Sequence, residues 1–418
     1  MWRRGEITFM PNSVGTAGAE NNAGGSSLFK AAPVFLAFLA MGFADAAGPF
    51  VGLAKQQFSL SNFAAQLTNF VGFIMFGILS VPIGVFQDKK GKKYILVLGL
   101  SIMLAGVLIP TLFAFSTFAL FLLTVLLLGA GATVLQVAGN PLMRDVSAEG
   151  KYSRNLSLAQ FVKAIGSLSG PVVPVIAARY LGLSWGAIFP FFSVAILIAL
   201  ISAASMSLKT TRAAGHQGAT LGSSLALLKN GYVAMMVLAI FVYVGAEVSV
   251  SSGIPLYLKD RFSIDIAKTG LLGTGLFFLA LTMGRFSGGV FLNWIKPKVF
   301  FLITCLLSIL GLLGLFCPDE PAAVAGFFVV GLGFANIFPL VFSITVDKMP
   351  TDANALSGLM VMAIVGGAFL PPLMGLLADA THSVQTSFLV PLSALLYITW
   401  AALVNFRSTA AASQAPTL

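Results

Sequence analysis

Residues 234–258 read AMMVLAIFVYVGAEVSVSSGIPLYL, an apolar run of 25 residues that holds a single charged side chain, Glu247. A helix needs about 20 apolar residues to cross a lipid bilayer, so the run predicts a transmembrane helix. A carboxylate that faced lipid would be costly, and ionisable residues inside such helices usually serve a function. Glu247 is therefore predicted to face the interior of a membrane protein.

The composition of the whole chain agrees with this prediction. Of its 418 residues, 58% are hydrophobic and only 9% are charged, whereas soluble domains carry about 25% charged residues. The net charge of +10 does not indicate a nucleic-acid partner, because the basic residues lie in short clusters between apolar runs. Cys305 and Cys317 show neither metal-ligand spacing nor a disulfide framework, so we expect no metal site.

Twelve apolar runs are long enough to span a bilayer. They lie at 31–54, 64–86, 94–115, 117–142, 155–178, 184–208, 232–258, 268–293, 299–317, 321–346, 355–379 and 386–406. With both termini placed in the cytoplasm, 17 of the 24 Lys and Arg residues fall on the cytoplasmic side and 5 fall outside, while Lys163 and Arg285 lie within spans. This excess of positive charge on one side predicts that both termini are cytoplasmic.

The longest polar connection, about 209–229, lies halfway along the chain. We therefore predict an all-α membrane protein with twelve transmembrane helices in two six-helix halves. The predicted units are a disordered cytoplasmic tail (1–29), an N-terminal half (30–208), a cytoplasmic linker (209–230), a C-terminal half (231–407) and a cytoplasmic tail (408–418).

The two halves align with one another at a shift of about 200 residues. The matching segments are KQQFSLS (55–61) with KDRFSID (259–265), AIGSLSGPV (164–172) with IVGGAFLPP (364–372), and GAG (129–131) with GLG (331–333). The second pair places Gly166 over Gly366. Two similar halves packed side by side enclose a cavity on the axis between them, which opens to either face as the halves rock.

A charged loop between the second and third spans, GVFQDKKGKKYIL (84–96), resembles the signature of the major facilitator superfamily. Further segments resemble the fucose–galactose–proton symporter family, over about residues 30–407. They are FSLSNFAAQ (58–66), AGNPLMRDV (138–146), NLSLAQFVKAIGS (155–167), FVYVGAEV (241–248), MGRFSGG (283–289) and IVGGAFLPPLMGLLAD (364–379). The resemblance implies the major facilitator fold and the uptake of a sugar.

Two departures from that family concern its essential carboxylates. Gln136 replaces the glutamate that the family carries in the fourth span, and the family's first-span aspartate aligns with Gly48. Asp45 lies three residues earlier, about one helical turn away and on nearly the same face. The family's coupling scheme therefore cannot be transferred unchanged to this chain.

Three charged side chains within the predicted spans are candidates for ion coupling or substrate binding. Asp45 and Glu247 occupy similar depths in the first spans of the two halves, and we predict that both take part in ion coupling. Lys163 in the fifth span and Glu247 are predicted to bind substrate. The alternative for each is a structural ion pair, and the opposite charges of Lys163 and Asp45 would allow these two to pair.

Amide side chains within the spans are further candidates for substrate contact. They are Asn69, Gln136, Asn140, Gln160 and Asn336. Amides both donate and accept hydrogen bonds, which suits the hydroxyl groups of a sugar. An interhelical hydrogen bond is the equally open alternative for each. Asn69 and Gln160 also align with amides in the resembling family.

Asp88 and Arg144 are predicted to act in gating and not in substrate binding. The resemblance implies that Asp88, at the cytoplasmic end of the second span, accepts hydrogen bonds from the start of the eleventh span. Helix starts present unsatisfied N–H groups and the positive end of the helix dipole. Arg144 is predicted to be the cationic partner of Asp88.

The predicted function is the import of a monosaccharide across the bacterial cytoplasmic (inner) membrane by a monomeric carrier. Protons are the expected coupling ion, because desolvation raises the pKa of a carboxyl group towards the range in which it binds and releases protons. Sodium coupling and uncoupled transport stay open, as does a drug or metabolite exporter of the same superfamily. No cofactor is expected, and the sequence lacks a metal cluster, nucleotide-binding loop or catalytic triad that would indicate an enzyme.

Overall fold

The computed structural model describes residues 23–45, 57–59, 62–113, 117–206, 221–263 and 274–413, which are almost entirely helical. The long helices of the first half are α1 Ala23–Asp45, α2 Asn62–Lys90, α3 Lys92–Phe113, α4 Phe118–Val146, α5 Tyr152–Leu181 and α6 Ile188–Ser205. Those of the second half are α7 Gly231–Phe262, α8 Thr274–Phe291, α9 Pro297–Gly314, α10 in two segments (Glu320–Phe334 and Ile337–Lys348), α11 in two segments (Ala353–Met362 and Gly366–Thr381) and α12 Leu389–Ser413. Short helical turns lie at Trp185–Ala187, Leu221–Ala226, Leu227–Lys229, Pro350–Asp352, Ala363–Val365 and Val384–Ser387.

The helices coincide with the spans predicted from hydrophobicity. Within the described residues, nine helices are long and apolar enough to cross a membrane. α1 and α8 contain shorter apolar segments, Ala32–Asp45 and Gly275–Phe291, and α5 covers the predicted fifth span. The described part of each predicted span therefore falls on one of the helices α1–α12, which confirms the prediction of an all-α membrane protein with twelve spans. Residues 46–54 of the first predicted span and 268–273 of the eighth, with the last two residues of the third and sixth, lie outside the described residues.

Some helices begin or end beyond the predicted boundaries of the tails, the linker and the two halves. α1 begins at Ala23, inside the tail that was expected to extend to residue 29. Residues 221–229 of the predicted linker form two short helical turns, while 207–220 lie outside the described residues. α12 continues to Ser413. Outside the bilayer the backbone can be hydrated, so these helix ends need no apolar side chains and leave no hydrophobic signal.

Helices of the two halves pack in the same pairs, as the internal repeat predicts. In the first half α3 packs against α4 and α6, α1 against α5, and α2 against α4. Six helices later, α9 packs against α10 and α12, α7 against α11, and α8 against α10. The repeat that is faint in the sequence is therefore explicit in the packing.

Matched glycines explain why the sequence repeat survives where it does. A Cβ on Gly129 of α4 would lie 2.6 Å from the carbonyl oxygen of Gly72 on α2, and a Cβ on Gly331 of α10 would lie 2.6 Å from that of Phe277 on α8. Gly166 and Gly366 likewise allow the fifth helix of each half to approach the backbone of the first. A side chain at these positions would force the helices apart.

The interruption between the two segments of α10 lies against α7 and α8. The Tyr243 hydroxyl of α7 donates a hydrogen bond of 2.9 Å to the carbonyl of Phe334, the last residue of the first segment. The Asn336 amide packs on Gly288 of α8 and donates to the Gly284 carbonyl at 2.6 Å. The interruption is thus held in place by side-chain hydrogen bonds, and Tyr243 is fixed by one of them.

The two halves meet at one end of the bundle. We call this the gate end; it carries the α2–α3 turn at Gly91, the α4–α5 connection and the start of α11. Described contacts between the halves continue from there to the middle of the bundle. Gly77 of α2 faces Val365 beside α11, and the rings of Phe161 on α5 and Phe286 on α8 lie 5.3 Å apart.

Candidate functional site

Asp45 and Lys163 form an ion pair within the first half. Lys163 Nζ lies 3.1 Å from Asp45 Oδ2, and the hydroxyl of Ser167 donates to the same oxygen at 3.0 Å. The close approach of α1 and α5 at Gly42 and Gly166 brings the two charges together, because a Cβ on either glycine would meet the opposite backbone. The pairing considered from the opposite charges is therefore present, although the two residues lie at different depths in their predicted spans.

Glu247 has a partner that sequence reasoning missed. Arg285 of α8 places Nη2 3.5 Å from Glu247 Oε1, and Tyr243 lies one turn before Glu247 on α7. Arg285 carried the same signal as Glu247, an ionisable residue within an apolar span, and that signal would have identified it.

The two ion pairs lie immediately beyond the contact of Phe161 with Phe286, on the side away from the gate end. Lys163 follows Phe161 by two residues on α5, which runs away from the gate end, and Arg285 precedes Phe286 on α8, which runs towards it. The side chains of Lys163 and Glu247 are 12% and 18% exposed. Two positive and two negative charges therefore lie at the level where the described contact between the halves ends.

The predicted amides lie in different environments. Gln136 Oε1, both amide atoms of Asn140 and Gln160 Nε2 are buried and have no hydrogen-bond partner among the described residues. Asn336 donates from Nδ2 to the Gly284 carbonyl of α8. For this residue the alternative role, an interhelical hydrogen bond, is therefore present. Asn69 lies on α2, and its side chain falls outside the described part of the chain. Buried amides without partners are rare and call for an explanation.

At the gate end, Asp88 lies beside the start of α11. Asn354, the second residue of α11, donates from Nδ2 to Asp88 Oδ1 at 2.5 Å. Its Oδ1 accepts from Gln87 Nε2 at 2.9 Å. Asp88 therefore bonds to a side chain at this helix start, whereas the sequence led us to expect backbone donors. The helix dipole still favours a carboxylate in this position.

The prediction that Arg144 pairs with Asp88 is wrong. Arg144 Nε lies 3.0 Å from Asp347 Oδ1, at the end of α10 in the other half. The neighbouring Asp145 pairs with Lys92 at 2.6 Å inside its own half. Arg144 thus joins the halves through a carboxylate that only the arrangement of α4 against α10 brings near it.

The Asp88–Asn354 hydrogen bond and the Arg144–Asp347 ion pair should both hold the gate end closed. Their burial decides which of the two contributes more. Asp88→Asn keeps a neutral hydrogen bond but loses its charge, at about 1 kcal/mol, so opening should become about fivefold more frequent. The Arg144 and Asp347 side chains are 33% and 48% exposed, and exposed pairs contribute about 0.2–1 kcal/mol. Arg144→Gln should therefore have the smaller effect, about twofold.

Maleimide labelling measures this opening. Ser357 of α11 is buried and donates to the Val137 carbonyl of α4 across the halves. Ser357→Cys, in a background with Cys305→Ala and Cys317→Ser, should be labelled faster in both gate variants. Asp145→Asn is the matched control, because it removes an ion pair within one half. Equal labelling in the Asp88→Asn variant and this control would contradict the gating role of Asp88.

Twelve helices in two matching halves, with charged and polar groups at the boundary between them, define a two-half membrane carrier. A sequence profile of the Major Facilitator Superfamily matches residues 34–364. The chain belongs to this superfamily, which confirms the fold implied by the loop between α2 and α3.

Relatives and solved structures match nearly the whole chain. The "Glucose/galactose transporter" of Brucella abortus biovar 1 (strain 9-941) is 27% identical over 370 residues, 85% of this chain and 88% of that protein. The "L-fucose-proton symporter" of Escherichia coli strain K12 is 25% identical over 391 residues, with the same coverage of 85% and 88%. The crystal structure of the superfamily transporter FucP in the outward conformation gives a TM-score of 0.80 at 20% identity, covering 91% of this chain and 99% of that one.

Proposed function

We propose that the protein imports a monosaccharide by alternating access of its two halves. The observation that carries the proposal is the match to proteins named as sugar transporters, over 85% of this chain and 88% of theirs. The halves are joined at the gate end, and the four charges lie beyond that contact, which is the arrangement expected of a carrier open towards the opposite end. The charged and amide side chains at this level suit a polyhydroxylated ligand.

The sugar is proposed to bind between the halves, next to the four charges. Glu247 offers two acceptor oxygens, and Lys163 offers donors from the other half. Gln136 and Gln160 add amide atoms that have no partner among the described residues. Asn69, Asn140 and Asn336 remain candidates, and Asn336 is the weakest of them because its Nδ2 is already engaged. A ligand held from both halves links sugar binding to their movement.

Protons are proposed as the coupling ion, with Glu247 and Asp45 as the carboxylates that carry them. Each carboxylate pairs with a cation of its own half, Glu247 with Arg285 and Asp45 with Lys163. Rocking of the halves would change the access of water to this level of the bundle. A carboxylate that alternates between water and a closed site can take up a proton on one side and release it on the other.

The gate end is proposed to face the cytoplasm. The support is the distribution of charge, because 17 of the 24 Lys and Arg residues belong to this end under the predicted topology. Both termini would then be cytoplasmic, and the bacterial relatives favour the cytoplasmic (inner) membrane. The twelve helices form both halves of the site within one chain, so a monomer suffices.

Counterflow in liposomes tests the proposal. Purified protein is reconstituted into vesicles loaded with unlabelled glucose, galactose or fucose, and entry of the labelled sugar is followed. We expect sugar-specific counterflow, and accumulation when an inward proton gradient is imposed. Accumulation with a sodium gradient alone would identify sodium as the coupling ion, and counterflow without accumulation under either gradient would identify a uniporter. Absence of counterflow for every sugar, together with extrusion of an apolar cation, would instead identify an exporter.

A further inference from the structure

We propose that Arg154, between α5 and α8 at the gate end, binds the phosphate of an anionic lipid, and that this lipid holds the two halves together there. Arg154 lies near the start of α5 in the first half, and Asn293, in the turn after α8, faces it from the second half. Neither residue belongs to the proposed sugar site. The lipid is thus a second ligand, and its binding does not depend on the identity of the sugar or of the coupling ion.

The packing of α5 against α8 places Arg154 opposite Asn293. One turn nearer the gate end than the ring contact between these helices, a Cβ on Gly289 would overlap the side chain of Leu158. The two helices run in opposite directions, so one turn back along α5 matches one turn forward along α8. The next such step reaches Arg154 on α5 and Asn293 directly after α8.

The contact between α2 and α11 has the same register. A Cβ on Gly84 of α2 would lie 3.2 Å from the Cα of Gly358 on α11. One turn nearer the gate end, Asp88 accepts the hydrogen bond from Asn354. The hydrogen bond between these two residues therefore marks the position that corresponds to Arg154 in the contact between α5 and α8.

The internal repeat shows what the contact between α5 and α8 lacks. The segment GVFQDKKGKK, which contains Asp88, aligns with GVFLNWIKPK (289–298) and so places Asn293 at the position of Asp88. The shift of 200 residues between the halves places Arg154 at the position of Asn354. One contact therefore joins a carboxylate to an amide, whereas the other joins a guanidinium to an amide and has no negative charge.

Arg154 has no carboxylate partner in the part of the chain that the structure describes. Its Nε is buried there without a hydrogen-bond partner, while the side chain as a whole is partly exposed and open to a ligand. Asp145 and Asp347 are engaged in ion pairs with other cations, and Glu149 in the α4–α5 connection is exposed. Burying a guanidinium without a counter-charge is costly, so this position favours an anion.

A phosphate group supplies the missing charge. Its oxygens accept charge-assisted hydrogen bonds from the fork of guanidinium donors. Lys296, three residues after Asn293, is exposed and offers a second cation from the other half. An anion held from both halves binds only while the gate end is closed. Its binding therefore shifts the equilibrium towards the closed gate.

The surroundings of Arg154 identify the source of the phosphate as a lipid. Trp294, next to Asn293, is 75% exposed, and Phe286 and Phe291 on α8 are 51% and 46% exposed. In a membrane protein such side chains face lipid, and tryptophan prefers the level of the headgroups. Basic pockets between transmembrane helices bind anionic headgroups at that level. A lipid that lies against α8 thus brings its phosphate to the level of Arg154.

Maleimide labelling of the Ser357→Cys protein tests this in vesicles of defined composition. The vesicles contain phosphatidylcholine alone, or phosphatidylcholine and phosphatidylglycerol in equal parts, and the reagent is the uncharged N-ethylmaleimide. Labelling of this parent protein should be about fivefold slower with phosphatidylglycerol, which corresponds to about 1 kcal/mol for one basic residue at an anionic surface. The addition of Arg154→Gln should make the rates in the two lipids equal.

Two further variants separate the lipid site from folding and from general surface charge. Asn293→Asp removes no buried group and supplies the missing carboxylate from within the chain, so labelling should be slow in both lipids. Arg407→Gln is the matched control, because it removes an exposed cation near the end of α12 and should keep the full lipid effect.

Three results would overturn the inference. They are equal labelling of the parent protein in both lipids, an undiminished lipid effect in the Arg154→Gln variant, and equal slowing by inorganic phosphate in phosphatidylcholine vesicles, which would identify a soluble anion. Each of them leaves the proposed function standing, because counterflow measures sugar transport separately. Absence of counterflow, in turn, would leave the lipid site standing.

Discussion

Replacing Glu247 by glutamine is expected to abolish the accumulation of sugar against its gradient, while exchange of sugar across the membrane continues. Glutamine keeps the shape and hydrogen-bonding capacity of the side chain but cannot titrate. One pH unit corresponds to about 1.4 kcal/mol per proton, which supports about tenfold accumulation at one proton per sugar. The variant should instead reach equal concentrations on both sides. Uptake into liposomes under an imposed pH gradient, compared with counterflow in the same vesicles, measures the two activities.

Two further variants separate the proton role from sugar contact. Glu247→Ala removes both acceptor oxygens and should abolish sugar binding as well. Glu320→Gln is the matched control, because Glu320 is exposed at the start of α10 and should accumulate sugar like the wild type. Full accumulation by the Glu247→Gln variant would show that Glu247 does not carry the coupling proton. Unchanged affinity in the Glu247→Ala variant as well would leave it as a structural residue.

Asp45→Asn is expected to destabilise the protein more than Lys163→Gln. The first change leaves Lys163, which is 12% exposed, without its partner, whereas the second leaves Asp45, which is 41% exposed and can be hydrated. An unpaired charge costs more the less water reaches it. The double variant should recover about 1–2 kcal/mol relative to the sum of the single changes, as contacting residues do. Thermal unfolding of the purified protein measures all three.

The comparison of the two single variants with the double variant is a double-mutant cycle, and it needs a second cycle on two distant residues as its control. Lys163→Gln combined with Glu320→Gln should give additive changes in the free energy of unfolding, since Glu320 lies at the start of α10 in the other half. Additivity in the Asp45 and Lys163 cycle too would show that the ion pair contributes nothing to stability. A larger effect of Lys163→Gln than of Asp45→Asn would contradict the ranking by exposure.

The gate shows how far sequence reasoning reaches for a single contact. The loop signature predicted that Asp88, at the end of the second span, contacts the start of the eleventh span. In the structure Asp88 accepts a hydrogen bond there from Asn354, because both residues lie at helix ends that are fixed by the adjacent turns. The partner of Arg144 could not be derived in the same way. Asp347 is 203 residues away in the chain, and its proximity depends on the packing of one half against the other.

The same distinction holds for the charged site, whose residues could be identified from the sequence but whose pairing could not. Asp45, Lys163 and Glu247 stood out because each interrupts an apolar run, and Arg285 stands out by the same criterion. Their pairing does not follow from the sequence. Asp45 reaches Lys163 because glycines let α1 and α5 approach closely, and Glu247 reaches Arg285 because α7 and α8 both pack at the interruption of α10.

Hydrophobic runs and the positions of basic residues were enough to predict a membrane protein of twelve helices in two related halves. This information is local, because apolar length and the position of basic loops act on each segment separately. Which charges pair, which buried amides lack a partner among the described residues and where the halves join became visible only when the helices were packed together. Those properties depend on distances between helices far apart in the chain, and close packing at small residues sets these distances.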